Sequence, residues 1–235
     1  LHWLCVDSDT VEVYSDELRD NVLCKFNFLR QQRPSSQHQR SFRPSRSLAD
    51  YIGPKNLKVK DYIGGFAVTS GVGTDEIVKV FEDEGNDYKS LLVKALCDRL
   101  AEAFAEMMHQ KIRKTFWGYA PNETLTNVEL IKEKYNGIRP AAGYPACPDH
   151  TEKQVIFDLM NVTKNLGIKL TESYAMHPAS SISGLYFSHP KSTYFNLGKI
   201  AEDQIEDYAI RKNMSKSRVE KWLQSNLIYK PKSNR

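Results

Sequence analysis

Ser181-Ile182-Ser183-Gly184-Leu185-Tyr186-Phe187-Ser188, then His189-Pro190-Lys191-Ser192-Thr193, then Tyr194-Phe195-Asn196-Leu197-Gly198-Lys199-Ile200: the reading of this run decides how the chain is built. Both flanks read as strands, and a five-residue connection joins them as a hairpin, which makes the pairing antiparallel. Residues 1–14, 61–71 and 171–175 also read as strand material. Helical patterns fall between these runs irregularly, without a βαβ repeat. The expectation is an α+β fold, a twisted antiparallel sheet flanked by helices.

The longest helical signal covers residues 87–117, where Leu91, Leu92, Ala95, Leu96, Leu100, Ala103, Phe104, Met107, Met108 and Ile112 recur at three- and four-residue steps. That stripe is expected to bury against the sheet. Residues 16–32 also read as a helix, with Leu18, Val22, Leu23, Phe26 and Leu29 on one side. Thr74-Asp75-Glu76 starts another helix. Residues 126–135 form a short one stopped by Asn136-Gly137, and residues 152–166 an amphipathic one closed by Gly167. Two short helices over 204–212 and 215–223 complete the chain, the last with Ser215 as N-cap. Gly64-Gly65 marks a bulge or close backbone approach within a strand. Gly71-Val72-Gly73 is turn chemistry, wrongly spaced for a dinucleotide fingerprint.

At 235 residues, with 40% hydrophobic and 26% charged residues, the chain can bury a real core and is not broadly disordered. It has no apolar run long enough to span a membrane and no signal-peptide pattern, so a cytoplasmic setting without membrane attachment is expected. Cys5, Cys24, Cys97 and Cys147 are scattered without a CxxC pair, which disfavours a zinc ribbon and suits a reduced compartment. The first residue is Leu rather than Met, and a piece of a longer chain is expected. The net charge of +4 is concentrated only at Arg33, Arg40, Arg43 and Arg46. Three parts follow: residues 1–32 as an N-terminal strand and helix, residues 33–47 as a basic flexible loop, and residues 48–235 as the main body. The loop reads either as a solvated linker or as an arm for an acidic partner. Nucleic acid is a weak candidate, because four arginines on no patterned scaffold make a poor footprint.

Arg139-Pro140-Ala141-Ala142-Gly143-Tyr144-Pro145-Ala146-Cys147-Pro148-Asp149-His150 carries the chemistry. Three prolines and a glycine cannot continue a helix or a central strand, and a loop so stiff in prolines spares a ligand much of its ordering cost. Arg139 can grip a carboxylate or phosphate through two parallel hydrogen bonds, Gly143 admits close approach, and Tyr144 can cover an apolar face. A proline-stiffened surface loop is the plainer alternative. Tyr194 and Phe195 offer aromatic surface or backbone polar groups to a planar ring, or simply pack in a strand. Asp98 and Glu102 share one helix face, as a polar pocket wall or as solvated acids. Asp149, His150 and Glu152 beside Cys147 superficially suggest a metal site, but paired-histidine spacing is missing. Cys147 and His150 sit too close in sequence for a productive nucleophilic dyad. No GxSxG, P-loop or Rossmann pattern is present, and no acid–base machinery stands out.

Nine segments in order, FLRQQ, DYIGGFAV, VKALCDRLAEAFAE, WGYAPNE, GIRPAAGYPACPDHTEK, KLTESYAM, SGLYFSHPKSTYF, DQIEDYAIRK and VEKWL, run from Phe28 to Leu223. Together they resemble the C-terminal activation domain of cobalamin-dependent methionine synthase. The resemblance implies reductive reactivation: S-adenosylmethionine is bound, cob(II)alamin takes one electron from flavodoxin or a diflavin methionine synthase reductase, and methyl transfer restores methylcobalamin. Carried over by motif, Arg139 binds the methionine carboxylate in the Arg139–Tyr144 loop with Gly143. Tyr194 and Phe195 contact the nucleoside, and Tyr144 lies near the methyl donor and corrin. Asp98, Glu102 and Glu133 make water-mediated or electrostatic contact with the cationic donor. The family pattern also implies departures. Residues 1–17 match loosely, residues 33–47 are more basic, and a leading helical region whose aspartate holds the donor's amino group has no counterpart. The cobalamin-binding DxHxxG motif is missing too, so cobalamin is expected on another domain of the same enzyme, with zinc and folate elsewhere in it. A methyltransferase domain inactive on its own is expected; the alternative is a non-catalytic docking module for the cobalamin domain and reductase.

Overall fold

The computed structural model describes residues 2–7 (backbone), 9–32, 45–57 and 59–231. Its centre is a five-stranded sheet in the order β3-β2-β1-β4-β7, every neighbouring pair antiparallel. The strands are β1 (His2–Asp7), β2 (Thr10–Tyr14), β3 (Val22–Asn27), β4 (Tyr62–Thr69) and β7 (Ser181–Tyr186), while β5 (Lys169–Leu170) pairs with β6 (Met176–His177) as a separate ribbon. The α+β expectation holds.

Alternation sorts the sheet's two faces. Ile63 and Leu185 join Val11, Val13 and Phe26 in the main core, under Ile156 of α4 (Glu152–Met160). Phe66, Val68 and Tyr186 form a second cluster with Ala105, Met108 and Ile112 from α2 (Asp87–Lys111) and the π-helical turn Ile112–Phe116. Gly64 and Gly65 sit where the sheet is tightest: a Cβ on Gly64 would lie 3.0 Å from the Tyr186 ring, and one on Gly65 2.7 Å from Met160 Sδ. The paired glycines therefore mark close approach.

Several local expectations give way to tertiary pairing. Residues 16–32 are not a helix, because Val22–Asn27 pairs with β2, Val13 opposite Cys24 and Val11 opposite Phe26. Phe26 is thereby fully buried, while Leu18 stays 79% exposed. The hairpin over residues 181–200 does not form either. β7 pairs with β4, and residues 194–200 run as irregular chain whose polar groups bond elsewhere. Leu197 N–H donates to Pro145 O and Ile200 N–H to Asn226 O, at 2.9 and 2.8 Å. Residues 171–175 are the turn between β5 and β6, closed by Thr171 N–H donating to Ala175 O.

Several helices are shorter than their patterns, the one over Glu202–Arg211 alone starts earlier than expected, and one is turned over. α1 (Thr74–Asp83) begins where expected. α3 (Asn127–Ile131) carries a capping box between Thr126 and Glu129 and stops early, with Glu133 in the left-handed region. Residues 152–166 split at left-handed Asn161 into α4 and α5 (Val162–Leu166), closed by Gly167. α6 (Glu202–Arg211) and α7 (Lys216–Trp222) pack together, the latter capped by Ser215. α2 presents Ala101, Ala105 and His109 to the sheet, leaving Leu91, Leu92, Leu96, Leu100, Phe104 and Met107 between 39% and 67% exposed. The small residues let helix and sheet backbones approach closely, and the larger apolar side faces away. Among the described residues no helix is long and apolar enough to cross a membrane. Of the basic loop, residues 33–44 lie outside the described residues; Arg46 donates to Thr193 Oγ1 at 2.9 Å.

Candidate functional site

A cleft of about 510 Å³ opens between α2, the Arg139–His150 loop and the irregular chain after β7. Its walls include Glu102, Glu133, Tyr135, Arg139, Tyr144, Ile182, Tyr194 and Phe195. Six of the residues picked from the sequence thus meet in one place, although they come from four separate segments.

The loop earns its shape from local bonds. Gly143 N–H donates to Cys147 O at 2.7 Å and Cys147 N–H donates to Tyr144 O at 2.9 Å, folding the Tyr144 turn back on itself. Gly143 takes φ +97, and a Cβ there would lie 2.3 Å from His150 Cε1, so its place is set by backbone conformation and by the imidazole packed against it. Gly143 therefore shapes the cleft from beneath and does not line it. Lys153 Nζ holds His150 Nδ1 at 2.9 Å. At the far end the loop is pinned by a buried ion cluster: Lys212 Nζ lies 2.8 Å from Asp149 and 2.6 Å from Glu152. These carboxylates, read as possible metal ligands beside Cys147, are thus paired with a lysine. Burial pushes the Cys147 thiol up, away from thiolate.

Arg139 is half-buried at the cleft's base. Its backbone N–H donates to the Tyr194 hydroxyl at 3.0 Å, tying the loop directly to the aromatic pair. Tyr194 thus serves the loop through its hydroxyl and is not part of a strand. Burial pulls the Arg139 pKa down, Tyr194, Glu106 and Tyr135 push it up, and the net is upward; the guanidinium is a permanent cation. Tyr144 is 56% exposed and borders a second cleft of about 410 Å³, which also shares Glu102 and Ile182. Asp98 belongs to that second cleft, where its Oδ1 accepts from the Ser180 hydroxyl at 2.6 Å. Free thiols are carried by Cys24, Cys97 and Cys147.

Sequence reasoning missed Glu106, which accepts from Arg139 Nη2 at 3.2 Å. The signal was present: Asp98, Glu102 and Glu106 fall at successive four-residue steps on α2.

The family model for the activation domain of vitamin B12-dependent methionine synthase matches residues 3–213. The chain belongs to this activation-domain family. A crystal structure of the MetH reactivation domain bound to AdoHcy superposes with a TM-score of 0.93 at 51% sequence identity, covering 97% of this chain and 69% of that one. The resemblance carried by the nine motifs is therefore sound, and the fold is that of a methionine synthase activation domain.

Proposed function

We propose that this activation domain binds S-adenosylmethionine across the Arg139–Tyr194 cleft and offers its methyl group to cobalamin held by another domain of the same enzyme. What carries the reading is the convergence of Arg139, Tyr144, Tyr194 and Phe195 on one cleft, in a chain 51% identical to a reactivation domain bound to AdoHcy. A volume of about 510 Å³ suits a nucleoside joined to an amino acid.

The residues divide the ligand between them. Arg139 takes the carboxylate of the methionine moiety by charge-assisted hydrogen bonds. Tyr194 and Phe195 receive the nucleoside end. Tyr144, exposed and common to two clefts, stands between donor and corrin, on the turn shaped by Gly143. Asp98, Glu102 and Glu133 supply negative potential to a cationic donor, directly or through water. The sulfonium supplies an already activated methyl group and cobalt the nucleophile, so the chain's task is binding and alignment rather than proton transfer. On this reading the work is done in the cytoplasm, the electron comes from flavodoxin or a diflavin methionine synthase reductase, and zinc and folate are handled elsewhere in the parent enzyme.

Calorimetry with S-adenosylmethionine on the wild type and on Arg139→Ala tests the reading, with a longer chain including the upstream region run alongside. Loss of one charge-assisted contact costs about 1.5–3 kcal/mol, roughly a ten- to hundred-fold weakening, with melting behaviour unchanged. Unchanged affinity in Arg139→Ala refutes the assignment. Failure of both wild-type chains to bind favours the docking-module alternative.

A further inference from the structure

Arg139 does not stand alone on its loop. Its Nη2 lies 3.2 Å from Glu106 Oε2, and the other oxygen of that carboxylate, Oε1, is buried 4.0 Å from Arg113 Nη1. Arg113 is fully buried and fixed by two parallel bonds to Glu123, at 2.7 and 2.8 Å. Its guanidinium also lies 4.3 Å from the centre of the Tyr135 ring. Charges of alternating sign thus run Glu123, Arg113, Glu106, Arg139 from the interior to the cleft. His109, buried beside them and stacked on Tyr186, adds no further cation, because burial, Arg113 and Arg139 hold its pKa down to about 2.

Physics gives this order a purpose. Arg113 and Arg139 both act on His109, so two guanidiniums share one poorly solvated region. The Glu106 carboxylate separates them and offsets their repulsion. It also fixes one edge of the Arg139 guanidinium, which limits the rotamers left to the long side chain. We infer that Glu106 is a positioning residue for recognition of the ligand's amino-acid tail: it holds Arg139 oriented before a carboxylate arrives. Preorganisation of this kind raises affinity by removing an ordering cost, without a contact of its own to the ligand. The inference rests on the binding function proposed above.

Two probes separate this role from a structural one: S-adenosylhomocysteine, and 5′-methylthioadenosine, which keeps the nucleoside and thioether but lacks the amino-acid tail. Calorimetry is run on the wild type, Glu106→Leu, Glu106→Gln and Arg139→Ala. Glu106→Leu is expected to weaken S-adenosylhomocysteine by about ten-fold while leaving methylthioadenosine within about two-fold. Glu106→Gln, which keeps an acceptor oxygen for Arg139, is expected to restore most of the loss. Equal weakening of both probes, or full affinity in Glu106→Leu, overturns the inference. If Arg139→Ala abolishes the preference for the tailed probe and Glu106→Leu does not, only the role of Glu106 falls. If the wild type shows no such preference, or binds neither probe, the binding function falls and the inference with it.

Discussion

Replacing Lys212 with Met removes the cation from the buried cluster that anchors the far end of the binding loop. Lys212 is 7% exposed, Asp149 4% and Glu152 3% by side chain, so none of the three is rehydrated without unfolding. Met keeps most of the aliphatic stem, and the packing loss is small. What remains is a pair of buried carboxylates with only the Tyr208 hydroxyl (2.8 Å to Asp149), Thr151 and the Asn27 N–H (3.2 Å to Glu152) to support them. Breaking a buried ion pair by removing one partner costs about 3–5 kcal/mol. At a slope of about 2–3 kcal/mol per molar urea, the unfolding midpoint falls by about 1–2.5 M at pH 7. The pH dependence has a definite sign. Burial raises the Asp149 pKa but Lys212 outweighs it, so the net shift in the wild type is down, and its stabilisation is lost as pH falls through that depressed value. Burial keeps the Glu152 pKa up against the pull of Lys212, so this group costs stability above its unfolded value and less as pH falls. Lys212 itself is opposed by burial but raised overall by Glu152 and Asp149, so its contribution persists below the ordinary lysine value and fades as pH rises through the higher one. In Lys212→Met both carboxylates lose their cation and their pKa values rise, so the variant's deficit shrinks towards pH 4, where they take up protons. Urea titrations at pH 4, 7 and 9 read this directly. A deficit below about 1 kcal/mol at pH 7, or one that grows on acidification, refutes the reasoning.

Two further substitutions probe the loop and the long helix. Gly143→Ala places a Cβ into the His150 ring at a left-handed position, and is expected to cost at least about 1–2 kcal/mol by thermal melting; Gly143→Ala combined with His150→Ala recovers part of that loss if the clash is its cause. Leu96→Lys on the outward side of α2, at 57% exposure, is expected to change stability by less than about 0.5 kcal/mol by urea titration, whereas burial of that side against the sheet would make it cost several-fold more.

The contrast between these positions shows where sequence reasoning stops. α2 carries apolar residues at three- and four-residue steps on one side and small residues on the other, and periodicity cannot say which side meets the sheet. Backbone approach decides it, through Ala105 packed with Phe66, Val68 and Tyr186 while Ala101 is buried on the same helix. The stretch Val22–Asn27 satisfies a helical step and an alternating one equally well; the free edge of β2 settles the matter. Tyr194 looked like strand material because aromatics favour strands. It lies outside the sheet, on a stretch whose backbone bonds to Pro145 and Asn226 instead, and its hydroxyl accepts from the Arg139 N–H.

The amino-acid sequence alone determined the helix boundaries at Thr74, Ser215 and Gly167, the strand with its paired glycines, the stiff loop, and the cleft residues Arg139, Tyr144, Tyr194 and Phe195. Those features rest on local conformation and on short motifs, each carried within its own segment, whereas the meeting of the cleft residues belongs to the fold. Only the tertiary structure decided the strand order, the outward turn of α2's larger apolar residues, the Lys212 anchor and the Glu106–Arg139 pair. Each of these joins residues far apart in the chain or chooses between two faces of one element, and burial and charge pairing act only once those segments meet.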